Sequence, residues 1–136
     1  MASVALSTVL DSGAPDGRTD YTTIVLIHGR VMGQSGTFKK LLPLASGHGV
    51  GIIAANRRDY PGSHPYTPEE RARLERLAAA SPEAADVRSE AENFLRERGR
   101  EVYDYLVDLV KREAIPPTRA EGDDARGGIV LVGWSV

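Results

Sequence analysis

The stretch TIVLIHG, residues 23–29, begins with five consecutive residues that are β-branched or apolar and ends in a His-Gly pair. An unbroken run of this kind is typical of a β-strand whose two faces are both covered. A second short apolar run spans residues 50–55, and residues 38–45 between the two runs carry apolar side chains at helical spacing. Two buried strands separated by a helix predict a parallel βαβ unit and an α/β fold.

The flanking segments extend this pattern. Residues 4–10 can form a further strand, and residues 129–132, IVLV, predict a third buried one. Pro43 should kink or shorten the first helix. Residues 118–128, which include Gly122, Gly127 and Gly128, predict a polar loop leading to the last strand.

A charged segment at residues 67–113 predicts two helices. Thr67, Pro68 and Glu70 form a capping box with proline at the first helical position, which predicts a helix to about Ala80. Ser81-Pro82 repeats the cap-and-proline pattern and opens a longer helix to about Glu113, with Gly99 as a candidate break. The apolar stripe expected to lie on the sheet consists of Phe94, Leu95, Val102, Leu106, Leu109 and Val110. The earlier part of the segment is either a lid or a further cover for the sheet.

Composition excludes several classes of protein. The chain has 136 residues and no cysteine, which fits one domain and excludes disulfides, thiolate zinc sites and cysteine nucleophiles. A net charge of -2 gives no reason to expect nucleic acid as a partner. No apolar run approaches the roughly twenty residues of a transmembrane helix. Residues 1–10 lack the positive flank and long apolar core of a secretory signal, so the cytoplasm is the expected location.

Chemistry-bearing residues follow each buried strand. Parallel strands end at a common edge, where open α/β folds usually bind ligands. At those ends stand residues 28–30, residues 56–63 and residues 133–135. Gly133 and Ser135 match the first half of the G-x-S-x-G turn, which projects a nucleophilic serine above the sheet.

Residues 24–136 resemble the N-terminal half of an α/β-hydrolase. The resemblance rests on the strand followed by His28-Gly29, on IIAANRRDYPGS at residues 52–63, and on the partial elbow GWSV. It implies a partial α/β-hydrolase fold with a mostly parallel sheet and helices on both faces, with the C-terminal half missing. It also implies cleavage of an ester or similar acyl bond in a small-molecule substrate.

The same resemblance implies a role for each matching residue. Ser135 would be the nucleophile, and the backbone N–H groups of Arg30 and Val136 would form the oxyanion hole. No cofactor and no metal is implied. In this family the acid and the histidine follow the serine, whereas only Val136 follows it here, so the sequence looks cut at the elbow and this chain is expected to be an inactive fragment.

A non-catalytic binding or interaction fragment is the alternative function. Loss of the C-terminal half would leave the last strand uncovered, which favours self-association through the sheet edge.

Other candidate residues have simpler interpretations. His28 is expected to bind loop backbone and His48 to be exposed. Of the three histidines, His64 alone is placed in a loop near the carboxyl edge and is the candidate to act on Ser135. Asp59 is expected to hold Arg57, Arg58 or turn amides rather than to serve as a triad acid. The glycines at 29, 33 and 36 match neither a P-loop nor a dinucleotide fingerprint, which argues against nucleotide binding.

Overall fold

The computed structural model describes residues 4–29 and 38–134. Short 3-10 turns at Lys39–Leu41 and Ser46–His48 flank the first helix. The strands are β1 (Ser7–Asp11), β2 (Thr22–Ile27), β3 (Val50–Asn56), β4 (Arg119–Glu121), β5 (Asp124–Arg126) and β6 (Ile129–Gly133). The helices are α1 (Leu42–Ala45), α2 (Pro68–Ala79) and α3 (Ala85–Arg112).

Four strands form a mostly parallel sheet in the order β1-β3-β2-β6. β2 pairs in parallel with β3 on one side and with β6 on the other, whereas β1 runs antiparallel to β3. The predicted parallel arrangement of the three apolar runs is therefore confirmed, and the chain has an α/β fold.

Side chains from alternate residues of β2 enter two separate hydrophobic clusters. Val25 and Ile27 pack in one cluster with Tyr105 and Leu109 of α3. Leu26 points to the other face and packs in a cluster with Phe38 and with Ala45 of α1. Both faces of the strand are covered, which explains why its sequence shows no polar alternation.

Of the three sequence signals expected to limit or begin a helix, two agree with the structure and one does not. Pro43 lies in the first turn of α1, which is only 4 residues long. The capping box at Thr67 forms as predicted and begins α2. Ser81-Pro82, however, does not cap α3, because that helix begins at Ala85 after Ala84, whose side chain makes no cap hydrogen bond.

The long helix differs from its prediction in continuity and in its buried face. α3 runs unbroken for 28 residues through Gly99, because one glycine inside a long helix costs only about 1 kcal/mol relative to alanine. Leu95 and Val110, expected on the sheet-facing stripe, are 66% and 42% exposed. Tyr105 takes a core position instead, and its hydroxyl lies 2.6 Å from Thr8 Oγ1. Burial raises the pKa of Tyr105.

The segment expected to be a loop at residues 118–128 contains a β-hairpin. β4 and β5 pair antiparallel, with Glu121 opposite Asp124, so only Gly122 and Asp123 form the connection. Gly122 has φ +63°, as the first central position of a two-residue type II′ hairpin turn requires. The sequence did not predict this hairpin, because all six strand residues are exposed and show no alternation of apolar and polar side chains.

None of the helices in the described part of the chain is long and apolar enough to cross a membrane.

Leu109→Ala and Leu95→Ala should differ strongly in stability, although both remove the same atoms from α3. Leu109 is 0% exposed and Leu95 66% exposed. We expect Leu109→Ala to lower the free energy of unfolding by about 2–5 kcal/mol and Leu95→Ala to change it by less than about 0.5 kcal/mol. Urea unfolding followed by circular dichroism measures both, and equal losses would contradict the packing of α3 on the sheet.

Candidate active site at the carboxyl edge

The carboxyl ends of β2, β3 and β6 meet at one edge of the sheet. Ile27 lies opposite Ala55 on one side and opposite Gly133 on the other. The backbone N–H of Trp134 donates to the Ile27 carbonyl at 3.0 Å, which continues the pairing one residue past β6. Arg30, Ser135 and Val136, the three residues predicted to carry the chemistry, lie outside the described residues, so their predicted roles remain predictions.

His28 holds the ends of β2 and β3 together. Its side chain is 2% exposed, and its Nε2 accepts a hydrogen bond from the Arg57 backbone N–H at 3.0 Å. Because a backbone N–H can only donate, Nε2 carries no proton, and the proton is on Nδ1, which lies 2.8 Å from the Gly29 carbonyl. Burial, together with the nearby Arg57 charge, lowers the pKa of His28 below 6.5 despite the opposing effect of the Gly29 bond. The predicted structural role of His28 is confirmed.

The segments that leave β2 and β3 reach opposite faces of the sheet. β2 leads to α1, whose Ala45 packs on the face that carries Leu26. β3 leads by way of α2 to α3, which packs on the face that carries Val25. Ligand crevices of open α/β sheets lie outside the carboxyl ends of strands where connections diverge in this way.

The turn after β3 is fixed by partly buried polar contacts. The Asn56 side-chain amide donates to the Pro61 carbonyl at 2.9 Å, and the Ser63 hydroxyl donates to the Asn56 carbonyl at 2.6 Å. Asn56 is 3% exposed, and its Oδ1 has no hydrogen-bond partner among the residues that the structure describes. Sequence analysis placed Asn56 within residues 56–63 at the end of its strand but gave it no role, because its contacts with Pro61 and Ser63 depend on how the turn folds back.

Asp59 holds a different arginine from those expected. Its Oδ1 accepts from the Tyr66 backbone N–H and from Arg71, both at 2.8 Å. Of the predicted partners, Arg57, Arg58 or turn amides, the structure confirms the turn amide. Arg58 points instead to Glu70 and Glu101, because α2 and α3 bring two carboxylates to its guanidinium.

A cavity of about 760 Å³ opens beside this edge, between the turn at residues 57–66 and the two long helices. Its apolar walls come from α2 and α3, and Tyr60 and Tyr66 line its side nearest the turn. The ring of Tyr60 meets that of His28 edge to face, with centroids 4.4 Å apart. Tyr60 therefore lies against both the cavity and the side chain that joins the ends of β2 and β3. Its volume is within the range usual for small-molecule sites.

An ion-pair network holds the walls of the cavity in place. Arg58 makes a bidentate pair with Glu70 of α2 at 2.7 and 2.6 Å, and a further contact with Glu101 of α3 at 3.0 Å. Arg98 pairs with Glu101 at 3.0 Å and lies over the ring of Phe94, 4.4 Å from its centroid. α2 has no buried residue among those described, so it is a wall of the cavity rather than a cover for the sheet.

The other two histidines contribute no described catalytic contact. His48 is exposed, as predicted. His64 is also exposed, and its backbone N–H donates to the Ala5 carbonyl at 2.9 Å. Within residues 4–29 and 38–134, no group of three or more His, Asp and Glu side chains is arranged to hold a metal ion.

The network should make stability depend on pH through Glu70. Its contacts, chiefly the Arg58 hydrogen bonds, lower the pKa of Glu70 from 4.5 to about 2. A lowered folded-state pKa stabilises the protein above pH 4.5, and that contribution is lost as the pH falls toward 2. We expect Glu70→Gln to cost about 1–3 kcal/mol at neutral pH and to cost progressively less at acid pH.

Urea unfolding between neutral pH and pH 2 measures the difference in free energy of unfolding between the unmodified protein and Glu70→Gln. Glu75→Gln is the matched control. Glu75 is exposed on the same helix and has no hydrogen-bond or ion-pair partner among the described side chains. A Glu70→Gln deficit that stays constant down to the lowest pH would show that the ionised carboxylate is not what stabilises the network.

Comparison with known proteins identified no relative. A scan against family models, a search of curated proteins and a search of solved structures each found no match.

Proposed function

We propose that this chain is the N-terminal part of an α/β-hydrolase domain that cleaves an ester or similar acyl bond through a serine nucleophile. The observation that carries the proposal is the parallel register of β2, β3 and β6. It aligns Ile27, Ala55 and Gly133, so that the His28-Gly29 element and the segment that leads to Ser135 follow adjacent strands. A nucleophile and the donors that stabilise its oxyanion must lie within a few ångströms of one reacting carbon, which adjacent strand ends permit.

The proposed roles are those that the sequence implies. Ser135 attacks the acyl carbon, and the backbone N–H groups of Arg30 and Val136 donate to the oxygen that becomes negative. These donors act through the backbone, so the Arg30 side chain is not required for this step.

His28 is not the general base of this proposal. Its Nε2 accepts from the Arg57 N–H, and its Nδ1 faces the Gly29 carbonyl, so both ring nitrogens are engaged away from a serine. A serine hydroxyl without an adjacent base is a weak nucleophile. In the family that the sequence resembles, the acid and the histidine follow the serine, so the proposal takes both from beyond residue 136 and expects residues 1–136 alone to be inactive.

Ser135→Ala tests the enzymatic proposal in the protein expressed from its complete reading frame. With p-nitrophenyl butyrate we expect a burst of p-nitrophenol from the unmodified protein. In the variant the burst should be absent, and the rate of p-nitrophenol release should be lower by about a thousandfold or more. Ser89→Ala, on an exposed position of α3, should retain the full burst. A Ser135→Ala protein that keeps its burst, or an unmodified protein that shows none, would refute the proposed reaction.

A second candidate is an interaction module without catalysis, favoured by the edge of β6. In the sheet formed by the described residues, β6 is the last strand and pairs only with β2. Val130, Leu131 and Val132 are 50%, 49% and 37% exposed, so apolar side chains are uncovered on both sides of this strand. An open apolar edge of this kind is a template for strand pairing, and we propose a second copy of this chain as its partner.

Sedimentation velocity tests this second candidate on the 136-residue chain. We expect dimers or larger species that a Val132→Lys substitution shifts toward monomer, because a charged side chain on an edge strand opposes pairing. Leu44→Lys, which places the same charge on a 54% exposed leucine of α1, should leave the distribution unchanged. A monomeric unmodified chain, or equal effects of both substitutions, would rule out β6 as the interface.

A further inference from the structure

We propose that the cavity between α2, α3 and the turn at residues 57–66 binds an amphiphilic carboxylate. The aliphatic or aryl body of this ligand packs against the helices, and its carboxylate pairs with the guanidinium of Arg57. The cavity consists entirely of described residues, and its occupation does not depend on Ser135.

The walls are suited to the apolar part of such a ligand. Leu74 and Leu77 face the cavity from α2, and Ala91, Phe94 and Leu95 face it from α3. Leu95 is 66% exposed even though it lines a concave surface. Covering apolar surface of this kind is favourable by about 25 cal/mol for each Å² removed from water, so the walls supply affinity without specific polar contacts.

The charges around the cavity decide which end group the ligand carries. Three charged residues line it, Arg57, Asp59 and Glu75. The Asp59 carboxylate is already engaged by Arg71 and the Tyr66 N–H. The hydrogen bonds that Arg57 makes to described residues come from its backbone, whose N–H donates to His28 and whose carbonyl accepts from the Tyr60 N–H. Its guanidinium has no hydrogen-bond or ion-pair partner among the described residues.

Arg57 is also the cation closest in the chain to the carboxyl end of β3. A guanidinium binds a carboxylate through two parallel N–H···O bonds, a geometry that an alcohol or an amine cannot match. Glu75 lies on α2, on the helical wall, and its negative charge opposes a carboxylate placed there. Together the two charges favour one orientation, with the carboxylate at the turn and the apolar body between the helices.

The position of the cavity links it to the carboxyl edge. Tyr60 lines the cavity and contacts the ring of His28, which directly follows β2. If the edge carries out acyl cleavage, the cavity selects esters that bear a second, anionic group, and this assignment of substrate class rests on the proposed function. Binding of the free carboxylate does not rest on it.

Isothermal titration calorimetry with decanoate, decanol and decylamine tests the proposal on the 136-residue chain, with the two ionic probes below their micelle concentrations and decanol below its solubility limit. We expect decanoate to bind about tenfold more tightly than decanol. Decylamine, which can pair only with the exposed Glu75 carboxylate, should bind within about threefold of decanol. Arg57→Ala should remove the advantage of decanoate and leave decanol affinity within about twofold, whereas Glu75→Gln should not weaken decanoate.

Ala91→Phe, which fills the cavity from α3, should abolish binding of all three probes while thermal melting shows that the variant is folded. Lys111→Ala is the control for a change of net charge, because Lys111 is exposed near the C-terminal end of α3 and does not line the cavity. Equal affinities for decanoate and decanol, an Arg57→Ala variant that binds decanoate normally, or no binding of any probe would each overturn the proposal. Decanoate binding by a protein whose Ser135→Ala variant loses no activity would retain the cavity proposal and refute only the hydrolase.

Discussion

The structure depends on the burial of β2 on both faces and along both edges. A strand of residues such as Ile24, Val25 and Leu26 is stable only where other elements cover each face, because its backbone polar groups and apolar side chains must all leave water together. β3 and β6 pair with the backbone N–H and C=O groups of β2. α3 covers one face of β2, and α1 with Phe38 covers the other. The parallel edge and everything attached to it follow from this arrangement.

One buried histidine connects that arrangement to the cavity. His28 closes the end of β2 against the first residue after β3, and its ring supports Tyr60, which lines the cavity. Arg58, which pairs with Glu70 of α2 and Glu101 of α3, and Arg98 of α3, which lies 3.6 Å from Glu70, then hold the two helices around the same space. A chain of contacts thus runs from the sheet to the helical walls, so the shape of the cavity depends on the packing of the strands.

Sequence reasoning succeeded where the physical cause was local. The unbroken apolar runs located β2, β3 and β6, Pro43 limited α1, and Thr67 with Glu70 marked the start of α2. It failed where distant contacts decided the outcome. Tyr105 is in the core because Thr8, far away in the chain, lies next to its hydroxyl, and Leu95 is exposed because α3 turns that side toward the cavity. The position of His28 was predicted, but its use of both ring nitrogens depends on Arg57, which only the fold brings to it.

The pairing of β6 with β2 is the feature on which the proposed site depends most, and cross-strand nuclear Overhauser effects in isotopically labelled protein test it directly. The account predicts contacts in parallel order, with Thr23 next to Ile129, Val25 next to Leu131 and Ile27 next to Gly133. Contacts in the reverse order, with Thr23 next to Gly133, or no contacts between these strands, would contradict it, because the segment leading to Ser135 would then leave the sheet away from His28.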